Sequence, residues 1–116
     1  MDDMGEWVNE VRLVGRVSRA GEERVLPSGD TVVQLRVVVP RTGSDHGSAR
    51  VDTVDVACWT ARTRRSALRL TTDAVVEVEG ALRRRFFRAG GATASRYEVE
   101  ASRVAVVRRA PLAAAR

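Results

Sequence analysis

Two aromatic side chains close to arginines are the residues in this sequence best suited to form a binding site. Trp59 ends an apolar run, and the segment behind it, "TARTRRSALRL", carries four arginines. Phe87 follows three consecutive arginines in "RRRFF". A flat ring stacks on other planar groups, and arginine binds phosphate through a planar fork of N–H donors. This combination is typical of a surface for a planar, anionic ligand, although either ring could equally belong to the core or to a subunit interface.

Catalytic and metal chemistry have few residues to draw on. The chain has one cysteine, Cys58, and one histidine, His46. These exclude an internal disulfide and are too few for a tetrahedral zinc site within one chain. A serine nucleophile would need His46 as its base, and the polar segment "TGSDHGSA" gives that imidazole no buried setting. We therefore expect no catalytic residue, no metal and no cofactor, and interpret the protein as a binding protein and not an enzyme.

The overall charge is basic. The formal net charge is +5, and all 20 basic residues are arginine. Excess positive charge favours a polyanionic partner such as nucleic acid. Codon bias in a GC-rich genome and a solvated charged surface would give the same composition. With 116 residues the chain is long enough for one domain, and its apolar runs are too short to cross a bilayer. We expect a cytoplasmic protein with no membrane partner.

Hydrophobic residues alternate along most of the chain, which predicts β-strands. "LPSGD" has the composition of a turn, "RTGSDHGSAR" that of a polar loop and "AGGATA" that of a glycine-rich hairpin. Helix-forming residues at 61–70 predict a short helix with Ala67, Leu68 and Leu70 on its apolar side. The predicted strands are 7–17, 31–41, 51–60, 74–88 and 95–107.

The order of these elements, β-β-β-α-β-β, predicts a fold. It is the layout of the all-β OB-fold, a five-stranded Greek-key barrel with one short helix between strands 3 and 4. We expect residues 1–108 to form this domain and residues 109–116 to be a flexible stub. OB-folds commonly bind oligonucleotides across one sheet face and its adjoining loops.

Strand alternation also predicts which way the aromatic side chains point. In the third strand Trp59 shares its parity with Asp55, a carboxylate that a barrel interior would not accept without a partner. In the fourth strand Phe87 shares the outward parity of Arg83 and Arg85. A bulge just before Phe87 would exchange Phe86 and Phe87. The predicted inward residues are Val54, Val56 and Cys58 in the third strand and Val76, Val78, Gly80 and Leu82 in the fourth, with Phe86 at the barrel end.

Five segments occur in an informative order. They are "VNEVRLVGRV" (8–17), "LPSGDTVVQLRVVVPR" (26–41), "DTVDVACWT" (52–60), "VVEVEGALRRRFF" (75–87) and "SRYEVEASRVAVV" (95–107). The first follows the pattern N-x-V-x-L-x-G-R-V, and the fourth follows V-x-V-E-G-x-L-x-x-R-x-[WF]. Together they resemble the bacterial single-stranded DNA-binding proteins over roughly residues 8–108. The resemblance implies an OB-fold that binds single-stranded DNA.

The resemblance also implies roles for individual residues. Trp59 and Phe87 match the aromatic residues on which the family stacks bases, and the arginines beside them match its phosphate-binding residues. The candidate nucleic-acid-binding residues are Trp59, Phe87, Arg83, Arg85, Arg96, Arg36, Arg12 and Arg62. The family usually forms homotetramers that pair through the first strand. This implies a homotetramer, or a homodimer, with Trp7, Asn9 and Val11 at the contact.

Besides its helix, the sequence departs from the family pattern at three places. Residues 41–43 stand where the family often has a further tryptophan, and Thr53 replaces another stacking residue. Family members that recruit repair and replication enzymes end in an acidic tip, whereas this chain ends at Arg116 in a basic stretch. We therefore expect lower affinity per subunit and no recruitment of such enzymes. A tail-less paralogue and a truncated form fit this ending equally well.

Three functions are compatible with these observations. The leading hypothesis is sequence-independent binding of single-stranded DNA by a nucleoid-associated protein of replication, repair or recombination. A primosome-like OB adaptor would use the aromatic face for a protein partner instead. An RNA-binding OB module would use the same face with contacts to 2′-hydroxyl groups.

Overall fold

The strands close into one barrel. A computed structural model describes residues 6–42 and 50–111, so Asp2, Asp3, His46 and the last five residues of the predicted stub lie outside the described residues. The elements are β1 (Val11–Val25), β2 (Thr31–Pro40), β3 (Val51–Cys58), α1 (Ala61–Leu68), β4 (Val75–Ala89) and β5 (Ala92–Arg108). Around the barrel the strands are ordered β1-β2-β3-β5-β4. The predicted OB-fold, with its helix between the third and fourth strands, is confirmed.

A short parallel contact completes the barrel. All other strand pairs are antiparallel, whereas β3 and β5 run parallel, with Val56 opposite Val99 and Ala57 opposite Glu100. Beside this contact β4 passes close to β5 at Gly80, where a Cβ atom would overlap the carbonyl oxygen of Glu100. Only glycine allows this approach without a shift of the backbone.

Valine side chains fill the interior. Val17, Val37, Val76 and Val78 are each fully buried. In β4 the buried Val76 and Val78 alternate with glutamates, whereas in β2 both members of the pairs Val32–Val33 and Val37–Val38 are buried. Strand positions suit β-branched residues. The remaining buried residues of the core are Val33, Leu35, Val56, Cys58, Ala67, Leu70, Ala74, Val99, Ala101 and Val104, with Val11, Leu13, Val39 and Val54 packed against them.

Helix α1 packs against the barrel through a narrow face. The hydroxyl of Thr60 caps its N-terminus by accepting a hydrogen bond from the backbone N–H of Thr63, at 3.1 Å. The buried residues of the helix are Thr63 and Ala67, one turn apart. The predicted apolar side is therefore wrong at Leu68, which is 48% exposed. Within the described residues no helix is long and apolar enough to span a bilayer.

Two strands differ in extent from the sequence-based prediction. β1 begins four residues later than expected, at Val11, and continues to Val25 along β2. β4 and β5 are joined by a tight turn at Gly90 and Gly91, whose φ angles are 58° and 83°. Positive φ at both central residues is the geometry of a type I′ hairpin turn, which glycine favours. The predicted six-residue loop at 89–94 is thus mostly strand.

The end of the β4–β5 hairpin extends beyond the barrel as a two-stranded ribbon. The pairing of β4 with β1 ends at Gly80, and Leu82 is opposite Val99, the residue that contacts β3. The pairing continues without a register shift from Leu82 to Ala89, so the bulge considered before Phe87 is absent there. Leu82 and Phe86, predicted to point inward, are 44% and 68% exposed, because among the described residues no strand pairs with the free edge of β4 beyond Gly80.

Candidate nucleic-acid interface

One outward surface, here called the arginine face, carries the two aromatic residues and several arginines. It consists of Arg19, Arg24, Arg36, Trp59, Arg85, Phe87 and Arg96. The strand register explains this grouping, because residues directly opposite each other point to the same side of a sheet. Arg36 is opposite Asp55 on β3, and Arg85 is opposite Arg96 on β5. The face therefore crosses β1, β2, β3, β4 and β5.

Trp59 lies at the junction of β3 and α1. It is half-buried, and its backbone carbonyl accepts a hydrogen bond from the guanidinium of Arg64 in the helix. The Arg85 guanidinium lies over the indole, with its Cζ atom 4.7 Å from the ring centroid. This is the geometry of a cation–π contact. The indole is thus held at the surface and kept out of the core, as the parity of Asp55 and Trp59 predicted.

Phe87 lies on the same side, further along the ribbon. Its ring is 41% exposed, and the Cζ atom of Arg96 is 5.5 Å from its centroid. The residue opposite Phe87 is Ala94, whose small side chain leaves the ring accessible. Both aromatic side chains of the arginine face therefore combine an apolar surface with an adjacent positive charge.

A layer of carboxylates lies beneath these arginines. Arg36 pairs with Asp55 at 3.0 Å, Arg83 with Glu100 at 2.9 Å, and Arg85 with Glu98 at 2.9 Å. Among the described residues, Arg19, Arg24 and Arg96 have no carboxylate within salt-bridge distance. The carboxylates orient the paired guanidinium groups and reduce their net charge. The three other arginines form no such ion pair, which leaves their guanidinium groups available to an anionic ligand.

Glu98 is the most buried of these carboxylates, at 3% exposed. Burial raises the pKa of its carboxyl group above the ordinary value, and Arg85 and Arg96 only partly oppose this effect. Because the folded state holds this proton more tightly than the unfolded state, Glu98 stabilises the fold most below its ordinary pKa. That contribution is lost as the pH rises through the raised pKa.

Sequence reasoning missed Arg19 and Arg24. Both line a groove with Arg36 and Arg96 on the arginine face, and Arg24 also donates a hydrogen bond to the side chain of Gln34. Their segment, "SRAGEERV", lacks hydrophobic alternation, so its pattern does not predict a strand. A usable signal is present: a turn at 26–30 followed directly by a strand requires a partner strand that ends near residue 25.

Two predicted phosphate-binding arginines lie elsewhere. Arg12 forms an ion pair with Glu77, which also contacts Arg103, on the side of the barrel built by β1, β4 and β5. Arg62 lines a separate groove between α1 and β5, together with Arg103. The structure thus brings Arg36, Arg85 and Arg96 together with the aromatic rings and leaves Arg12 and Arg62 apart from them. Arg83 lies on the same side of β4 as Arg85, in an ion pair with Glu100.

The residues predicted at a subunit contact have different surroundings. The side-chain amide of Asn9 donates to the carbonyl of Leu82 at 2.9 Å and accepts from its N–H at 2.8 Å, which extends the β1–β4 pairing. Val11 packs partly against the core, whereas Trp7 is 76% exposed. Among the three, Trp7 has the largest surface left for a partner.

Comparison with known proteins gives one family match and a solved structure of similar fold. The model of the single-strand binding protein family matches residues 8–107. No curated protein gave a significant match. Among solved structures, a Plasmodium falciparum SSB in complex with ssDNA is 17% identical, with a TM-score of 0.72. The match covers 92% of this chain and 99% of that one, and it supports the OB-fold.

Proposed function

The chain belongs to the single-strand binding protein family, and we propose how it binds single-stranded DNA. Bases stack on Trp59 and Phe87, and the arginines of the arginine face contact the phosphates. Binding is independent of base sequence, because every base presents a π-face to an aromatic ring. Neither the stacking nor the phosphate contacts need a catalytic group, a metal or a cofactor.

The observation that carries this proposal is the pairing of each ring with a guanidinium on one continuous surface. Arg85 lies against Trp59, and Arg96 lies against Phe87. A nucleotide has one planar apolar part and one anionic part, so each pair offers a partner for both. Stacking contributes ~1–3 kcal/mol per base, and each neutralised phosphate releases condensed counterions.

We further propose the wider setting of this activity. Residues 1–108 form the binding domain, which assembles as a homotetramer with Trp7 near the subunit contact. The protein is cytoplasmic and nucleoid-associated and acts without catalysis on the single strands exposed in replication, repair or recombination. The family membership and the exposed Trp7 support these proposals.

Titration with oligo-dT, followed by tryptophan fluorescence, tests the proposed function. The chain has two tryptophans, so the Trp7→Phe variant makes Trp59 the sole indole. We expect DNA to quench its emission, because the base contacts the indole directly. The Trp59→Phe variant is the matched control, in which the remaining Trp7 should respond much less. A protein adaptor would instead show no quenching and no binding at physiological salt, and preference for oligo-U in competition would indicate an RNA-binding module.

A further inference from the structure

A row of arginines on helix α1 lies apart from the arginine face. We propose that this helix row, formed by Arg62, Arg65 and Arg69, is a docking site for an acidic segment of a protein partner. The carboxylates of the partner pair with the three guanidinium groups. The inference goes beyond DNA binding, because it assigns a second ligand to a surface that the proposed function does not use.

The helix places the three side chains on one side. Residues three and four positions apart are neighbours on a helix surface, and Arg62, Arg65 and Arg69 follow this spacing. Arg69 caps the C-terminus of the helix and still has helical backbone angles. All three arginines are exposed, whereas Thr63 and Ala67 on the inner side of the helix are buried. The helix row therefore faces away from the barrel.

The positive charges of the helix row repel one another. Among the residues that the structure describes, no Asp or Glu oxygen lies within salt-bridge distance of these three guanidinium groups. The first turn of α1 contains no acidic residue, so Arg62 adds its charge to the positive end of the helix dipole. Arg65 lies next to both Arg62 and Arg69, at spacings where opposite charges would attract. An anionic partner relieves this repulsion, which favours its binding.

A groove beside the helix can receive side chains of the bound segment. It has a volume of about 300 Å³ and runs between α1 and β5. Arg62 and Ser66 line it from the helix, and Arg103 lines it from the strand. Guanidinium and hydroxyl groups both donate hydrogen bonds to carboxylates. Arg103 has only a contact of 3.4 Å with Glu77, a carboxylate that also pairs with Arg12.

The groove is better suited to carboxylates than to nucleotides. None of the described residues that line it is aromatic, so a base finds no ring on which to stack. The groove also shares no residue with the arginine face. A twofold contact between two copies of the helix row would bring like charges together, which disfavours a subunit interface at this place.

Binding of an acidic peptide tests the proposed docking site. The probe is a fluorescein-labelled peptide of alternating Glu and Ala residues, and its control has Gln in place of every Glu. We expect the full chain to bind the Glu peptide and not the Gln peptide, with an affinity that falls as salt is added. The triple variant Arg62→Gln/Arg65→Gln/Arg69→Gln, here called the row variant, should bind the Glu peptide roughly tenfold more weakly, as the loss of three exposed ion pairs implies.

A matched variant and a competitor locate the bound peptide. Arg50→Gln/Arg88→Gln/Arg109→Gln removes the same charge from exposed arginines outside the helix row and the arginine face, and it should keep the peptide affinity. Unlabelled oligo-dT of about 8 nucleotides fits within the roughly 4–16 nucleotides that one OB-fold covers. At physiological salt, where distant charges are screened, a saturating amount of it should leave the peptide bound.

The outcomes decide the inference separately from the proposed function. Equal peptide affinities of the wild type and the row variant, an equal loss in both triple variants, or displacement of the peptide by oligo-dT would overturn the inference. A loss of oligo-dT affinity as large as the loss of peptide affinity would make the helix row a nucleic-acid contact instead. If the wild type does not bind oligo-dT, the proposed function fails, whereas the two triple variants still test the helix row.

The stability of the row variant excludes a purely structural role for the arginines. Glutamine is a good helix former, and its introduction removes the repulsion between the three charges. We therefore expect the Tm of the row variant to equal or exceed that of the wild type in the absence of peptide. A lower Tm would show that the arginines hold the helix in place and would overturn the inference.

Discussion

The guanidinium of Arg85 is held between the indole of Trp59 and the buried carboxylate of Glu98. Its Cζ atom lies 4.7 Å from the ring centroid, and its Nε atom lies 2.9 Å from Oε2 of Glu98. Arg85 thus covers part of the indole ring of Trp59 and is itself held by Glu98 on the neighbouring strand β5. Trp59 is thereby presented in a fixed orientation, which reduces the entropy that binding would otherwise cost.

Removal of the indole should weaken DNA binding without loss of the fold. We expect Trp59→Ala to reduce the affinity for oligo-dT by about 1–3 kcal/mol, the usual contribution of one stacked base. Trp59→Phe keeps a π-face beside Arg85 and should lose less. Fluorescence anisotropy of a labelled oligonucleotide measures both variants. Unchanged affinity in a folded Trp59→Ala protein would exclude this ring from the site.

The salt dependence of binding should depend most on the arginines that lack a carboxylate partner. Arg96→Ala should reduce the slope of log K against log salt by about 0.7, the value for one phosphate contact to a single strand. Arg83 is neutralised in part by Glu100, so Arg83→Ala should change the slope less. Titrations at several salt concentrations give both slopes. Equal slopes of log K against log salt for Arg96→Ala and Arg83→Ala would contradict the prediction that Arg96 contributes more than Arg83 to phosphate binding.

Protonation of Glu98 should stabilise the fold. Because its folded pKa is raised, the stability of the wild type should fall relative to Glu98→Gln as the pH rises through and above the ordinary glutamate range. Glu77 provides a control of opposite sign. The hydrogen bond from Arg12 lowers the pKa of Glu77, so the wild type should gain stability relative to Glu77→Gln as the pH rises through the ordinary glutamate range.

Urea unfolding of both variant pairs across this pH range measures the two slopes. A rise in wild-type stability relative to Glu98→Gln would mean that Arg85 and Arg96 outweigh the burial of this carboxylate. The stability difference between wild type and variant should change with pH in opposite directions for Glu77 and Glu98, since Glu98 is buried and Glu77 lies in a surface ion pair. A change in the same direction would contradict this prediction.

The thiol of Cys58 should be unreactive in the folded protein. Burial raises its pKa to about 11, although a hydrogen bond with Thr63 partly opposes this effect. Since the thiolate is the reactive form, a thiol reagent at neutral pH should label the native chain slowly. The same reagent should label the urea-unfolded chain rapidly. Fast labelling of the native protein would show that the β3–α1 region opens readily.

Gly80 should be intolerant of a side chain. A Cβ atom there would overlap the Glu100 carbonyl, so Gly80→Ala must displace β4 from β5 beside the contact that closes the barrel. We expect the free energy of unfolding to fall by about 1–3 kcal/mol. Thermal or urea unfolding measures it. A loss below about 0.5 kcal/mol would show that the two backbones separate easily.

Much of the fold can be predicted because strand alternation is a local property. Val56 and Cys58 point inward, and Asp55 has the opposite parity, which predicts the outward direction of Trp59 although β3 ends at Cys58 and Ala57, of the same parity, is buried. Leu82 and Phe86 have inward parity but remain exposed, because parity gives a direction and another strand must supply the cover. The second half of β1 escapes prediction since its pairing with β2, and not its own pattern, makes it a strand.

The pattern of residues along the chain is enough to specify the barrel, its valine interior and the side on which Trp59 and Phe87 lie. Which arginines have a carboxylate partner depends instead on how the strands assemble. Arg85 is paired with Glu98, Arg83 with Glu100 and Arg36 with Asp55, in each case across two neighbouring strands. This difference arises because a side chain's direction follows from its own backbone, whereas its electrostatic partners are set by the register between strands.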